Sequence, residues 1–429
     1  MIEPKGTDTM RRRLHRRWGL VACVLLCLTA CAGYPDTSTA SKKQTSTVTP
    51  LPTMTATPSP LSPITRHSTS LDSEAAINRI ISGMTLQQKI AQLLMVEFEG
   101  TTYNSDMSGM VRDEQVGGII IYNNNARTIP QMQTLLNDVQ ANTSIPMMIA
   151  LDQEGGDVNR LSEFYGAAPS AAQLAATGQP AQAQAAGALA AQRMLTLGMN
   201  VDLAPVVDVR SIPNPIEGQR IWSNSTAITD QMAGAFLAGL QSQGVAGCLK
   251  HWPGIGSLTL DPHKTLPTVT HSVDQLNTLD FAAFKGLLPQ GPAMVMVTGV
   301  LYPAIDPDLP ATLSPKLVDG VLRGQLGYQG VVITDQLHMK GISDHYPLGE
   351  AGVLSVLAGD DILEGAFDYY SARNMINALT DAVQSGRIPL SRIEESDRRI
   401  LRVKWAYAMG LDKLQTLAGP DPAYKAPTA

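Results

Sequence analysis

The sequence predicts an α/β chain folded as a single (β/α)8 barrel of the TIM type, and three observations carry that expectation. Short apolar runs recur eight times between Met95 and Ala366, the strand count of such a barrel. Helix-like segments separate them, which is the alternation of a parallel sheet covered by helices. No GxGxxG or GxxxxGK[ST] follows the first strands, so the rival arrangement, a doubly wound open sheet, gains no support from a nucleotide fingerprint.

The chain opens with a segment that reads as a leader. Met10–Gly19, MRRRLHRRWG, is basic, and the apolar run Leu20–Ala30, LVACVLLCLTA, is too short to span a bilayer. Residues 1–30 are therefore expected to be a signal peptide. Leu28-Thr29-Ala30-Cys31 looks like a bacterial lipobox, which makes Cys31 the expected lipidation site and a membrane partner the consequence. Cys23 and Cys27 leave with the leader and only Cys248 remains, so no disulfide framework is expected. Residues 31–72 form a tether. More than half of Ala32–Ser70 is Ser, Thr or Pro, too polar to offset the entropy of ordering.

Composition narrows the class. Hydrophobic residues make up 44%, enough for a large core, while 5% aromatic content disfavours an aromatic-platform binding module. The net charge is −6, and the leader carries more basic than acidic residues, so the remaining chain is more acidic still. Nucleic acid is not an expected partner.

The barrel is expected over residues 73–413. Thr85 with Gln88 forms a capping-box signature at its first helix. The eight strands are MVEF (Met95–Phe98), GGIIIY (Gly117–Tyr122), PMMIALD (Pro146–Asp152), VDLAPVVDV (Val201–Val209), VAGCLKH (Val245–His251), AMVMVTG (Ala293–Gly299), GVVITD (Gly330–Asp335) and DDILEGA (Asp360–Ala366). Between them PAQAQAAGALAAQRMLTLG, TDQMAGAFLAGLQSQG and SPKLVDGVLRGQLG each end on a glycine suited to a helix terminus. Ser391 and Glu394 suggest a second capping box on the last helix, and residues 414–429 read as an unstructured tail.

In a parallel barrel the functional face lies at the carboxyl ends of the strands. Asp152, Asp208, Lys250, His251 and Asp335 fall there. Ionisable groups are costly at strand ends unless they pair or meet a ligand, so five on one rim point to a site. Asp335 alone could equally cap the following helix. Asp261 and His263 flank Pro262, which pushes Asp261 towards an extended conformation with the two side chains on one side. The aspartate then accepts from one imidazole nitrogen and leaves the other for substrate. A metal pair built on the same D-x-H with His251 is the competing reading. A neighbouring lysine repels a cation and no HExxH or Cys/His spacing is present, so neither metal nor cofactor is expected.

Taken together these blocks resemble glycoside hydrolase family 3, in its single-domain β-N-acetylglucosaminidase branch. KHWPGIGSLTLDPHKTLP (Lys250–Pro267) resembles K-H-F/W-P-G-x-G…D-x-H-x-x-L-P. LDQEGGDVNRL (Leu151–Leu161), LAPVVDVRSIPNPIEGQRIWS and PATLSPKLVDGVLRGQLGYQGVVITDQLHMKGI resemble further family segments, in order from about Thr85 to about Leu411. The resemblance implies a retaining exo-β-N-acetylhexosaminidase acting on peptidoglycan fragments or chitin-type oligosaccharides, with no second, sandwich domain. It implies Asp335 as nucleophile, His263 as acid and base with Asp261 behind it, and Asp152, Arg220, Lys250 and His251 as sugar-binding residues. The leader implies a chain standing outside the cytoplasm on its lipid anchor, and a monomer is expected. Three positions depart from the pattern: Asp157 replaces an arginine, Ile255 a frequent histidine, and Gln336 a common acidic residue. Alternatives are a β-glucosidase or β-xylosidase, a phosphorolytic variant, or a non-catalytic sugar-binding lipoprotein.

Overall fold

The computed structural model describes residues 71–213 and 217–419. These belong to one unit, Pro60–Ala429. The expected signal peptide, Cys31 and the tether up to Ser70 lie outside the described residues, as do residues 420–429 of the expected tail.

Eight parallel strands form the sheet: β1 (Leu94–Val96), β2 (Gly118–Ile120), β3 (Met148–Leu151), β4 (Val201–Asp202), β5 (Ala246–Trp252), β6 (Met294–Val297), β7 (Val331–Thr334) and β8 (Leu363–Glu364). They run in chain order from β1 to β7, and β8 lies beside β1. A bridge from Ile333 to Ile362 joins β7 to β8 and closes the barrel. Every strand is buried along its length, which is why the strands read as continuous apolar runs rather than alternating ones.

Helices wrap the outside. Here α1 (Leu71–Gly83) and α2 (Leu86–Gln92) precede β1, and Thr85 and Gln88 form the expected reciprocal cap. Two long crossover helices, α3 (Pro180–Leu197) and α4 (Thr226–Ser242), pack against each other. A Cβ on Gly187 would sit 2.2 Å from the Phe236 carbonyl oxygen, so glycine there lets the two backbones meet.

Four expectations need correction. The run Val201–Val209 is not one strand: only Val201–Asp202 pairs regularly, with a single bridge from Val206 to Lys250. Pro205 has no N–H to give the ladder, which stops it there. The last barrel helix, α5 (Leu390–Ala406), is preceded by Pro389 and carries no side-chain cap, so Ser391 and Glu394 form no capping box. Glu394 instead accepts from the Lys89 ammonium at 2.6 Å. The tail begins later than residue 414, because Leu411–Ala418 forms α6. Leu414 and Ala418 bury themselves against Ile77 and Ile80 of α1 and against Ile145, just before β3. This small core gives the segment a reason to order.

The fourth correction concerns the segment around Asp261. It is a turn rather than extended chain: the N–H groups of Lys264 and Thr265 both reach back to the Asp261 carbonyl oxygen, at 3.0 and 3.3 Å. The His263 N–H also donates to Asp261 Oδ1 at 3.0 Å. Aspartate closing a ring onto the backbone two residues on is a local motif that competes with extended structure, and it wins here.

Candidate active site

At the carboxyl ends of the strands a cavity of about 300 Å³ opens. Asp152, Arg220, Lys250, His251, His263 and Asp335 all border it. Asp261 stands behind His263, with Oδ1 2.8 Å from the His263 Nδ1. That contact leaves Nε2 of a mostly exposed imidazole free for the cavity. Sequence separations of up to 183 positions, Asp152 to Asp335, are thus collapsed onto one rim by barrel closure.

The strand end of β5 supplies Lys250 and His251. Its pairing with β6 shifts register between Leu249 and Trp252, an irregularity of the kind that re-aims side chains, and Lys250 and His251 both reach the mouth. Trp252 turns inward instead, stacking on Phe281 at 5.0 Å and meeting Phe284 edge-on. The Lys250 ammonium lies 2.6 Å from Asp152 Oδ1 and 2.7 Å from Glu154 Oε1. Arg220 donates to both Glu154 oxygens, at 2.7 and 2.9 Å. Burial alone would raise the Glu154 carboxyl, but Lys250 and Arg220 outweigh it and hold it down at about 2. Burial likewise works against the Lys250 charge, and Asp152 and Glu154 overcome it.

His251 is held from behind. Its Nδ1 lies 2.8 Å from Asp208 Oδ2, and the Ile255 N–H donates to Asp208 Oδ1 at 2.7 Å. Glu217 adjoins this pair. Burial and then the Asp208 charge push the Glu217 carboxyl well above the usual carboxylate range. Donor atoms of Asp208, Glu217 and His251 lie within 4.8 Å of one another, the one group of described residues that could converge on a cation.

Asp335 follows β7. Its N–H continues the ladder by donating to Val297 O at 2.8 Å, and its Oδ1 accepts from the Gln336 N–H at 2.9 Å. The next helical turn begins at Lys340 after Met339, so Asp335 caps no helix. The His263 loop is tied to this segment by the Gly341 N–H, which donates to Pro262 O at 3.2 Å.

Several residues of the rim escaped the sequence reading. Glu154 was visible within DQEGG but drew no role. Glu364, at the end of β8, borders the cavity together with Tyr122 and Gln336. The rule that singled out Asp335, an acid ending an apolar strand, applies equally to Glu364. A second cavity, of about 550 Å³, shares Tyr122 with the first and is lined by Glu97, Asn104, Asp106 and Phe367 among others. Burial raises the Glu97 carboxyl to about 7. His338 lies between Glu97, 3.5 Å away, and the Phe367 ring.

A closed parallel barrel with carboxylates, cations and an aspartate-backed histidine around its mouth is built for a polar, polyhydroxylated ligand. The chain belongs to the glycosyl hydrolase family 3: residues 85–403 match the model of that family's N-terminal domain. It is 29% identical over 366 residues to beta-hexosaminidase A of Pseudoalteromonas piscicida, covering 75% of this chain and 61% of that protein. It is 32% identical over 344 residues to beta-hexosaminidase LpqI of Mycobacterium tuberculosis, covering 78% of this chain and 83% of the relative. Among solved structures, a β-N-acetylglucosaminidase of this family from Paenibacillus sp. str. FPU-7 superposes with a TM-score of 0.75 at 36% identity, over 76% of this chain and 64% of that one. The chain thus spans less than two thirds of two of these three relatives.

Proposed function

We propose that the protein is a retaining exo-β-N-acetylhexosaminidase that releases terminal β-linked N-acetylglucosamine from peptidoglycan fragments or chitin-type oligosaccharides. The observation that carries this reading is the single cavity bordered by both Asp335 and His263, with Asp261 behind the histidine. The names of the relatives, hexosaminidases and an N-acetylglucosaminidase, support the choice of sugar.

In the first half of the reaction Asp335 attacks C1 of the sugar. The glycosidic C–O bond breaks, and His263 passes its Nε2 proton to the leaving oxygen. In the second half His263 takes a proton from water. The resulting hydroxyl bonds to C1 and Asp335 departs as a carboxylate. Asp152, Arg220, Lys250 and His251 hold hydroxyls and the acetamido group, and the Lys250–Glu154–Arg220 lattice keeps that clamp rigid before substrate arrives. Export and anchorage through Cys31 belong to the same proposal and rest on the leader sequence.

The test is hydrolysis of p-nitrophenyl β-N-acetylglucosaminide, with the β-glucoside and β-xyloside alongside and phosphate added in a parallel series. Asp335→Ala is expected to lose turnover by about 10⁴-fold and to regain it with azide, forming the glycosyl azide. Turnover that survives Asp335→Ala sinks the mechanism. Preference for the glucoside, or sugar 1-phosphate as the product, moves the enzyme to one of its alternatives.

A further inference from the structure

We propose that Glu364, at the carboxyl end of β8, is a neutral carboxylic acid whose Oε2 hydroxyl donates a hydrogen bond to an uncharged oxygen of the bound sugar. It thereby becomes a specificity-determining residue of the site. The proposal rests on the hexosaminidase reading for the identity of that sugar.

Geometry decides where the proton of Glu364 goes. Tyr122 donates its hydroxyl to Glu364 Oε1 at 3.2 Å. The same hydroxyl accepts from the Gln336 side-chain amide, so its only proton is committed to Glu364. With Oε1 already accepting, a proton on the acid sits on Oε2. That oxygen is buried and has no hydrogen-bonding partner among the described residues, although Glu364 borders the cavity. An orphaned polar atom in the cavity wall, where Arg160 Nε is likewise unpaired, points to a partner that arrives with the ligand.

The surroundings set the charge. Glu364 is only 2% exposed. Asp152 after β3, Asp335 after β7 and Glu97 after β1 all act on it, and the Tyr122 hydroxyl is its one close donor. The cations of the rim are engaged elsewhere. Lys250 bonds Asp152 and Glu154, and Arg160 lies 4.0 Å from Asp152. Burial first, then the charges of Asp152 and Asp335, drive the Glu364 carboxyl well above the usual range. A neutral acid kept this way donates, as a carboxylate in the same place cannot. Gln336, which stands where an acidic residue is common in the family, is what makes the relay work. A carboxylate there would take the Tyr122 proton away from Glu364.

The experiment compares Glu364→Leu, which has no donor, with Glu364→Gln, which keeps a neutral one. The leucine variant is expected to lose about 10- to 100-fold in kcat/KM, chiefly through KM. The glutamine variant is expected to recover at least about tenfold of that loss. In the wild type, activity is expected to fall on the alkaline side in part because Glu364 ionises beside Asp335 and Asp152. The acid step through His263 needs its proton in both forms, so the glutamine variant should lose only the part of the limb that Glu364 causes. Infrared difference spectra between wild type and Glu364→Gln should show the carbonyl stretch of a protonated carboxylic acid, and adding N-acetylglucosamine should move it. A carboxylate band in its place, an alkaline limb unchanged in Glu364→Gln, or a glutamine variant as impaired as the leucine one overturns the proposal. The spectrum and glutamine pH profile stand even if the leucine variant fails to fold. Since the spectrum needs no turnover, a wild-type chain that hydrolyses nothing but shows the protonated band overturns the hexosaminidase reading and not the charge assignment.

Discussion

At the scale of single residues, the site divides its charges between chemistry and support. His263 reaches the cavity with a ring that is largely exposed, whereas Lys250 and Glu154 are nearly sealed. Removing His263 should damage both chemical steps; removing Glu154 should damage the fold. His263→Ala is expected to lower kcat/KM by about 10²–10⁴-fold on a poor leaving group and much less on an activated dinitrophenyl aglycone, which needs no proton, while kcat stays low on both because the attack of water still lacks its base. A leaving-group series measures this directly. Glu154→Gln leaves Lys250 and Arg220 short of a buried counter-charge and should cost about 3–5 kcal/mol by urea denaturation. The pH sign follows from the depressed Glu154 carboxyl. Its contribution is complete above the ordinary glutamate range and is lost as pH falls through about 2, so the wild type destabilises over that acid window and Glu154→Gln does so less steeply.

At the scale of elements, the decisive contact joins two loops. The His263 turn and the Asp335–Ile342 segment meet at Gly341, where an added Cβ would lie 2.9 Å from the Thr265 carbonyl oxygen and 3.1 Å from that of Pro262. Gly341→Ala must push the loops apart. It is expected to reduce kcat by about tenfold or more while leaving the melting temperature within a few degrees, since a misplacement of about 1 Å is enough to cost such factors. Steady-state kinetics paired with a melting curve tests both halves. The cap on α2 is separable from this: Thr85→Ala should cost about 1 kcal/mol of stability with kcat unaffected.

At the scale of the whole molecule, stability and chemistry occupy different places. The eight strands carry the polar mouth at their carboxyl ends, while α1 and α6 enclose a separate apolar cluster with Ile145, which precedes β3. Leu414 is fully buried in that cluster. Leu414→Ala should therefore cost about 2–5 kcal/mol without changing kcat on the aryl substrate. A denaturation curve beside a turnover measurement would show the separation, and a loss of kcat at unchanged stability would contradict it.

How much of this was legible in the sequence depended on the range of the physics involved. Eight strands and their order follow from burial on both faces, which writes itself as apolar runs, and the barrel follows from their alternation with helices. The amino-terminal cap at Thr85 is local in the same way. Asp335, Lys250 and His251 could be assigned to a rim because a strand end is a position in the chain as well as in space. What the tertiary structure decided lay across the chain. It ordered Leu411–Ala418 against α1, whereas the turn at Asp261 and the end of β4 before Pro205 are local effects that the sequence also carried. It also joined Glu154 to Lys250 and Arg220, and Glu364 to Tyr122 and Gln336. Whether a buried acid is ionised or neutral depends on which charges the fold brings within a few ångströms of it, and residues far apart in the chain carry no trace of that distance.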